Sequence, residues 1–261
     1  MRRGTMKTRF LIFLTLLFIP ANAFSFETIL FPSEDGLTIT ADLYSPHPDD
    51  SPFIILFHRA GWSRGEYREI APRLNRLGFN ALAVDLRSGK TVRGIRNITA
   101  EKAIAQGKRA TYVDAFQDMK AALFHTDRNL ANGRLLIWGS SYSASLSIVL
   151  AARYPERIAG VIAFAPGEYF SRLGKPADFI AQSAKSVRCP VFITSSAAEK
   201  NRWWNIYNAM TLKKSYFLPE AGGVHGSEAL WQSTPEHAEY WQAVQAFLRS
   251  FRVTENGQRQ Y

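Results

Sequence analysis

The chain has 261 residues, 46% of them hydrophobic and 13% aromatic, which is enough apolar material for one sizeable core and excludes a low-complexity or disordered protein. The formal charge is +10, but four basic and no acidic residues fall in the first 23, leaving +6 for the remainder; no nucleic-acid-binding motif accompanies that surplus, and no nucleic-acid partner is expected. Cys189 is the only cysteine, so no intrachain disulfide can form, and its place beside Pro190 at the edge of an apolar run reads as a buried structural position.

Arg2, Arg3, Lys7 and Arg9 form a basic head, followed by an apolar run from Phe10 to Ile19 that is too short to span a bilayer comfortably. Pro20 breaks the run, and Ala21-Asn22-Ala23 places small residues at the two positions a signal peptidase reads. Residues 1–23 therefore read as a secretory signal peptide, with an uncleaved anchor as the alternative, and residues 24–261 as a single domain. A periplasmic or secreted protein without stable membrane insertion is the expectation, and its oligomeric state stays open.

Phe26 to Phe31 reads as a first strand and Leu37 to Tyr44 as a second, joined at Ser33-Glu34-Asp35-Gly36 into an antiparallel hairpin at a sheet edge. The continuous apolar run Phe53 to His58 is expected of a strand covered on both faces. Glu66 to Leu77 carries helical periodicity and ends at Gly78; Phe79 to Asp85 is the next strand. Leu86 to Lys108 is a polar excursion without clear periodicity, and Ala110 to Phe124 a helix. Strand Leu135–Trp138 runs into small residues and a helix closed by Tyr154-Pro155. Buried strands follow at Ile158–Phe164 and Pro190–Thr194, with about 25 residues between them, too few for a large lid. Trp203 to Leu212 reads as a helix and Ser215 to Leu218 as the last strand. A final helix starts at Thr234-Pro235-Glu236, with Pro at the first helical position, and carries Tyr240, Trp241, Val244, Phe247, Leu248 and Phe251 at helical spacing. Strands alternating with helices predict an α/β fold: a mostly parallel sheet with helices on both faces.

Open sheets of this kind place ligands at the carboxyl ends of their strands. Gly139-Ser140-Ser141-Tyr142-Ser143 lies at one such end, a Gly-x-Ser-x-Gly pattern with serine in the last place. On a sharp strand-to-helix turn Ser141 would project its hydroxyl above the sheet, with the helix N-terminus offering amides to an oxyanion. A serine needs a base, and His225, in the glycine-flanked loop Gly222-Gly223-Val224-His225-Gly226 after the last strand, can reach it. His58-Arg59-Ala60-Gly61, Asp85-Leu86-Arg87, Glu168 and Glu199 stand at other strand ends. Asp85 reads as a structural residue holding Arg87 and the neighbouring loop.

With these motifs, from about Phe26 to Phe251, the chain resembles an α/β-hydrolase, most similar to the dienelactone hydrolase-like and small serine esterase groups. The resemblance implies a Ser-His-acid triad, an acyl-enzyme route, and no metal or cofactor. It implies oxyanion amides at Ala60 and Tyr142. The order of the family places the acid at Glu199, with Glu168 as the alternative some relatives use. Arg59 and Ser143 stand where the family commonly has glycine. An ester or similar acyl substrate is expected, with a peptidase or a non-catalytic binding protein as the other readings. Arg87, Lys90, Arg93, Arg96, Lys102, Lys108 and Arg109, against Glu101 alone, make the excursion strongly basic, which reads either as attraction for an anionic substrate or an anionic envelope surface, or as a solvated loop with no ligand.

Overall fold

The computed structural model describes Met1 and residues 26–252. The predicted signal segment, residues 1–23, lies outside the described residues apart from Met1. One eight-stranded sheet has the order β1-β2-β4-β3-β5-β6-β7-β8. Its strands are β1 (Glu27–Pro32), β2 (Thr38–Tyr44), β3 (Phe53–Phe57), β4 (Asn80–Val84), β5 (Leu135–Ser140), β6 (Gly160–Phe164), β7 (Val191–Thr194) and β8 (Lys214–Phe217). β1 pairs antiparallel with β2, and β2 with β4; every other pairing is parallel. β3, β4, β5 and β6 are buried along their whole length, the reason their sequences run apolar without alternation.

Among the described residues seven α-helices cover the sheet: α1 (Ile70–Arg76), α2 (Ile98–Ala105), α3 (Ala115–Asn129), α4 (Tyr142–Arg153), α5 (Phe179–Ala184), α6 (Lys200–Ala209) and α7 (His237–Leu248). One face of the sheet packs against α3 through Met119 and Leu123, α4 through Ile148 and Leu150, α5 through Ile180 and α6 through Trp203 and Ile206. The other packs against α1 through Ile70 and Leu74, and α7 through Tyr240, Trp241, Val244 and Leu248.

The helix expected over 66–77 is split into a 3-10 turn, Arg64–Tyr67, and α1. Pro72 explains the break, because it has no N–H for the Arg68 carbonyl and its ring crowds that group. The excursion after β4 holds α2, which periodicity did not reveal. Only Thr99, Ala100 and Ala103 of it are buried, too few for a clear stripe, and the helix is started by Asn97, whose side chain accepts from the Ala100 amide at 2.8 Å. α3 begins five residues later than expected, because Asp114 draws the Thr111 amide (2.9 Å) and hydroxyl (2.6 Å) into a turn. Pro235 likewise precedes α7 by two residues instead of opening it.

Candidate active site

β5 ends in a turn that brings Ser141 to φ 62, ψ −123, a strained backbone for a residue with a side chain. The Ser141 amide donates to Phe164 O at 2.7 Å, which ties the turn to the neighbouring strand end. Gly139 lets α4 start this close to β5, since a Cβ there would lie 2.4 Å from the Ala144 nitrogen. Ser143 replaces the usual glycine by folding its hydroxyl back: Oγ lies 2.7 Å from Phe57 O and 2.9 Å from both the Ser140 amide and the Ser140 carbonyl.

Ser141 Oγ lies 2.8 Å from His225 Nε2, and His225 Nδ1 lies 2.6 Å from Glu199 Oε1. The acidic end of the chain sits on a 3-10 turn, Ala197–Glu199, directly after β7. Glu199 also accepts from Ser196 Oγ at 3.0 Å and faces Arg202 at 3.3 Å. Burial pushes its pKa up, but the His225 bond and charge, with Ser196 and Arg202, outweigh burial and hold the carboxyl below its usual value. Glu168 is elsewhere: its two oxygens accept the Ile180 and Ala181 amides at 2.9 and 2.8 Å, capping the start of α5.

Ala60 follows β3 and Tyr142 opens α4; among the described residues neither of their amides has a hydrogen-bond acceptor. His58 is fully buried, with Asn97 Nδ2 3.0 Å from its Nε2. Its Nδ1 faces Arg59 O at 2.8 Å, and its Nε2 accepts the Leu86 amide at 2.8 Å, with burial lowering its pKa to about 4. The ring is thus neutral and structural, bracing the loop that carries Ala60. Among the described residues no group of His, Cys, Asp and Glu is placed to hold a metal ion.

Several residues around this site take roles that the sequence did not reveal. The Arg59 guanidinium donates to His225 O at 2.7 Å and to Glu228 at 3.1 Å, and lies 3.7 Å over the Trp62 ring. Tyr169 sits against Ser141 and Arg202 while its hydroxyl donates to Ala165 O at 2.8 Å. Glu66, fully buried, accepts from Ser140 Oγ at 2.6 Å, the Arg59 amide at 2.8 Å and the Ser227 amide at 3.2 Å. The ties from Arg59 to His225 and Glu228 and from Glu66 to Ser140 and Ser227 join residues far apart in the chain, so local patterning could not associate them.

Two expectations need correction. Asp85 is structural but does not hold Arg87: it accepts from the Arg64 amide (2.8 Å), the Arg64 guanidinium (2.7 Å) and the Ile98 amide (2.9 Å), joining the first 3-10 turn to α2. Arg87 pairs instead with Asp118 (2.7 Å) and Asp35 (2.8 Å). The basic excursion is also less bare than its composition suggests, because Arg93 meets Glu69, Arg96 meets Glu101, Lys108 meets Asp35 and Arg109 meets Asp114.

With the strand order, the elbow and the placement of these loops in view, the chain has the α/β-hydrolase fold and is a hydrolase. The family described as serine aminopeptidase, S33, matches residues 49–173. In fold the chain is similar to a dienelactone hydrolase from Anabaena variabilis, with a TM-score of 0.69 at 13% identity over 87% of this chain and 98% of that one. It is similar also to an esterase of Pyrococcus furiosus (TM-score 0.67, 19% identity, 87% and 93% covered). An acylaminoacyl peptidase of Pyrococcus horikoshii shares the fold over 91% of this chain and 43% of its own (TM-score 0.67, 15% identity). No curated protein matches the sequence.

Proposed function

We propose that the protein is an exported serine hydrolase that cleaves carboxylic esters through an acyl-enzyme. One observation carries this reading: an unbroken hydrogen-bonded line runs from Ser141 through His225 to Glu199 at the carboxyl ends of β5, β8 and β7. In it, His225 Nε2 takes the Ser141 proton as Oγ attacks the ester carbonyl, and Nδ1–H donates to Glu199, which fixes the ring and balances the imidazolium. The Ala60 and Tyr142 amides receive the oxyanion, with the N-terminus of α4 behind them. His225 then protonates the leaving alcohol. A water, deprotonated by the same ring, attacks the acyl-enzyme and returns Ser141. The signal-like residues 1–23 support export.

The S33 match and the fold shared with an acylaminoacyl peptidase favour a second reading, a peptidase using the same line of residues. A panel of p-nitrophenyl esters beside aminoacyl anilides separates the two. The proposal expects ester kcat/KM above that for every anilide; the reverse order would make the protein a peptidase. With five of the seven excursion cations already paired to carboxylates, a neutral ester is the first substrate proposed, and an anionic one belongs in the panel as its comparison.

A further inference from the structure

We infer that Glu66 is a positioning residue for this reaction, one carboxylate that holds the three loops of the site in register. The inference rests on the serine hydrolase reading above. Each of its partners stands next to a working position. Ser140, whose hydroxyl donates at 2.6 Å, precedes Ser141. The Arg59 amide, at 2.8 Å, precedes Ala60. The Ser227 amide, at 3.2 Å, lies two residues after His225 and also donates to Ser140 Oγ at 2.9 Å. The Glu66 backbone adds a fourth tie, its carbonyl accepting from Trp231 Nε1 at 2.9 Å beyond the histidine loop. Gly226 is what lets that loop close down, since a Cβ there would lie 2.5 Å from Ser140 Oγ.

A fully buried carboxylate is costly to keep, and a neutral or apolar side chain could fill the same space. Here the side chain meets donors from three segments, and a carboxylate accepts hydrogen bonds on both oxygens without offering one. The ionised form is therefore the one that matches its surroundings. Burial raises its pKa to about 7, against the bonds from Ser140 and the Arg59 amide and the charge of the Arg59 guanidinium; Tyr67 and Tyr142 are the other titratable groups facing it. Its protonation removes the matched acceptor as pH falls through about 7. A carboxyl raised in the folded state binds more protons folded than unfolded between its ordinary value and about 7. It therefore lowers stability as pH rises through that window and adds no further change above it.

The test compares wild type with Glu66→Gln, using a p-nitrophenyl ester, a fluorophosphonate probe and thermal unfolding from pH 5 to 8. The acid side of the kcat/KM profile should be steeper in the wild type than in Glu66→Gln by about one proton, the one that Glu66 takes up. At neutral pH the variant should lose about 10- to 100-fold in kcat with KM changed less than about 3-fold, the scale of a small misplacement of reacting groups. Its Tm relative to wild type should rise between pH 5 and pH 8. Wild-type kcat together with an unchanged acid slope would overturn the inference. If Glu66→Gln does not fold, Ser140→Ala removes one donor and leaves the carboxylate; its acid limb should move to higher pH, and an unmoved limb with full kcat would equally overturn it. Failure of the wild type to react with the probe would instead remove the serine hydrolase reading on which the inference rests.

Discussion

Ser141→Ala should lose kcat for ester hydrolysis by about 10⁴-fold or more while keeping the fold and a Tm close to that of the wild type. The hydroxyl faces the His225 ring at 2.8 Å, with Tyr169 beside it. The turn that carries it is fixed by other atoms: the Ser141 amide on Phe164 O, the Ser143 hydroxyl on Phe57 O, and the close contact of Gly139 with α4. Removing Oγ thus takes away the nucleophile and leaves the scaffold. His225→Ala should fall by a similar factor, and the double variant should be little worse than either, because the two act as one unit. Steady-state kinetics of the three variants beside their unfolding curves check both halves of this expectation.

Glu199→Gln should cost about 10³- to 10⁴-fold in kcat, and Glu168→Gln less than about 3-fold. Glu199 meets His225 Nδ1 at 2.6 Å, so a neutral amide there no longer balances the imidazolium and can turn its NH₂ toward Nδ1, stabilising the wrong tautomer. Glu168 is spent on two helix amides, where glutamine offers one acceptor instead of two. Its replacement should appear as about 1 kcal/mol of lost stability, the usual scale of a helix cap, and not in the chemistry. Paired measurements of kcat and Tm distinguish the roles; a severe kinetic defect confined to Glu168→Gln would move the acid to that position.

The features legible in the sequence are local ones. The run Leu135 to Trp138, the small residues around Ser141 and the glycines around His225 each announce a strand end or a tight loop, and the topology then brings those ends together. Locating β3, β4, β5, β6 and β7 along the chain needs no more than this, because each reads as an apolar block. What was not legible depends on long-range partners. The carboxylate of Glu66 lies within a segment that reads as an ordinary amphipathic helix, and its partners Ser140 and Ser227 are 74 and 161 residues away. Arg59 appears in the sequence only as a departure from glycine, yet its guanidinium holds the His225 carbonyl across 166 residues. Asp85 next to Arg87 suggested a pair, but Asp85 faces Arg64 and Ile98 while Arg87 turns to Asp118 and Asp35. α2 was hidden because a short helix half covered by a sheet edge carries too few apolar positions to show a period.

Reaction with a fluorophosphonate, read by intact mass and peptide mapping, tests the proposed nucleophile most directly. The account predicts a single phosphonyl adduct on Ser141, absent in Ser141→Ala and formed far more slowly in His225→Ala. An unreactive wild-type protein, or an adduct that persists in Ser141→Ala, would contradict it.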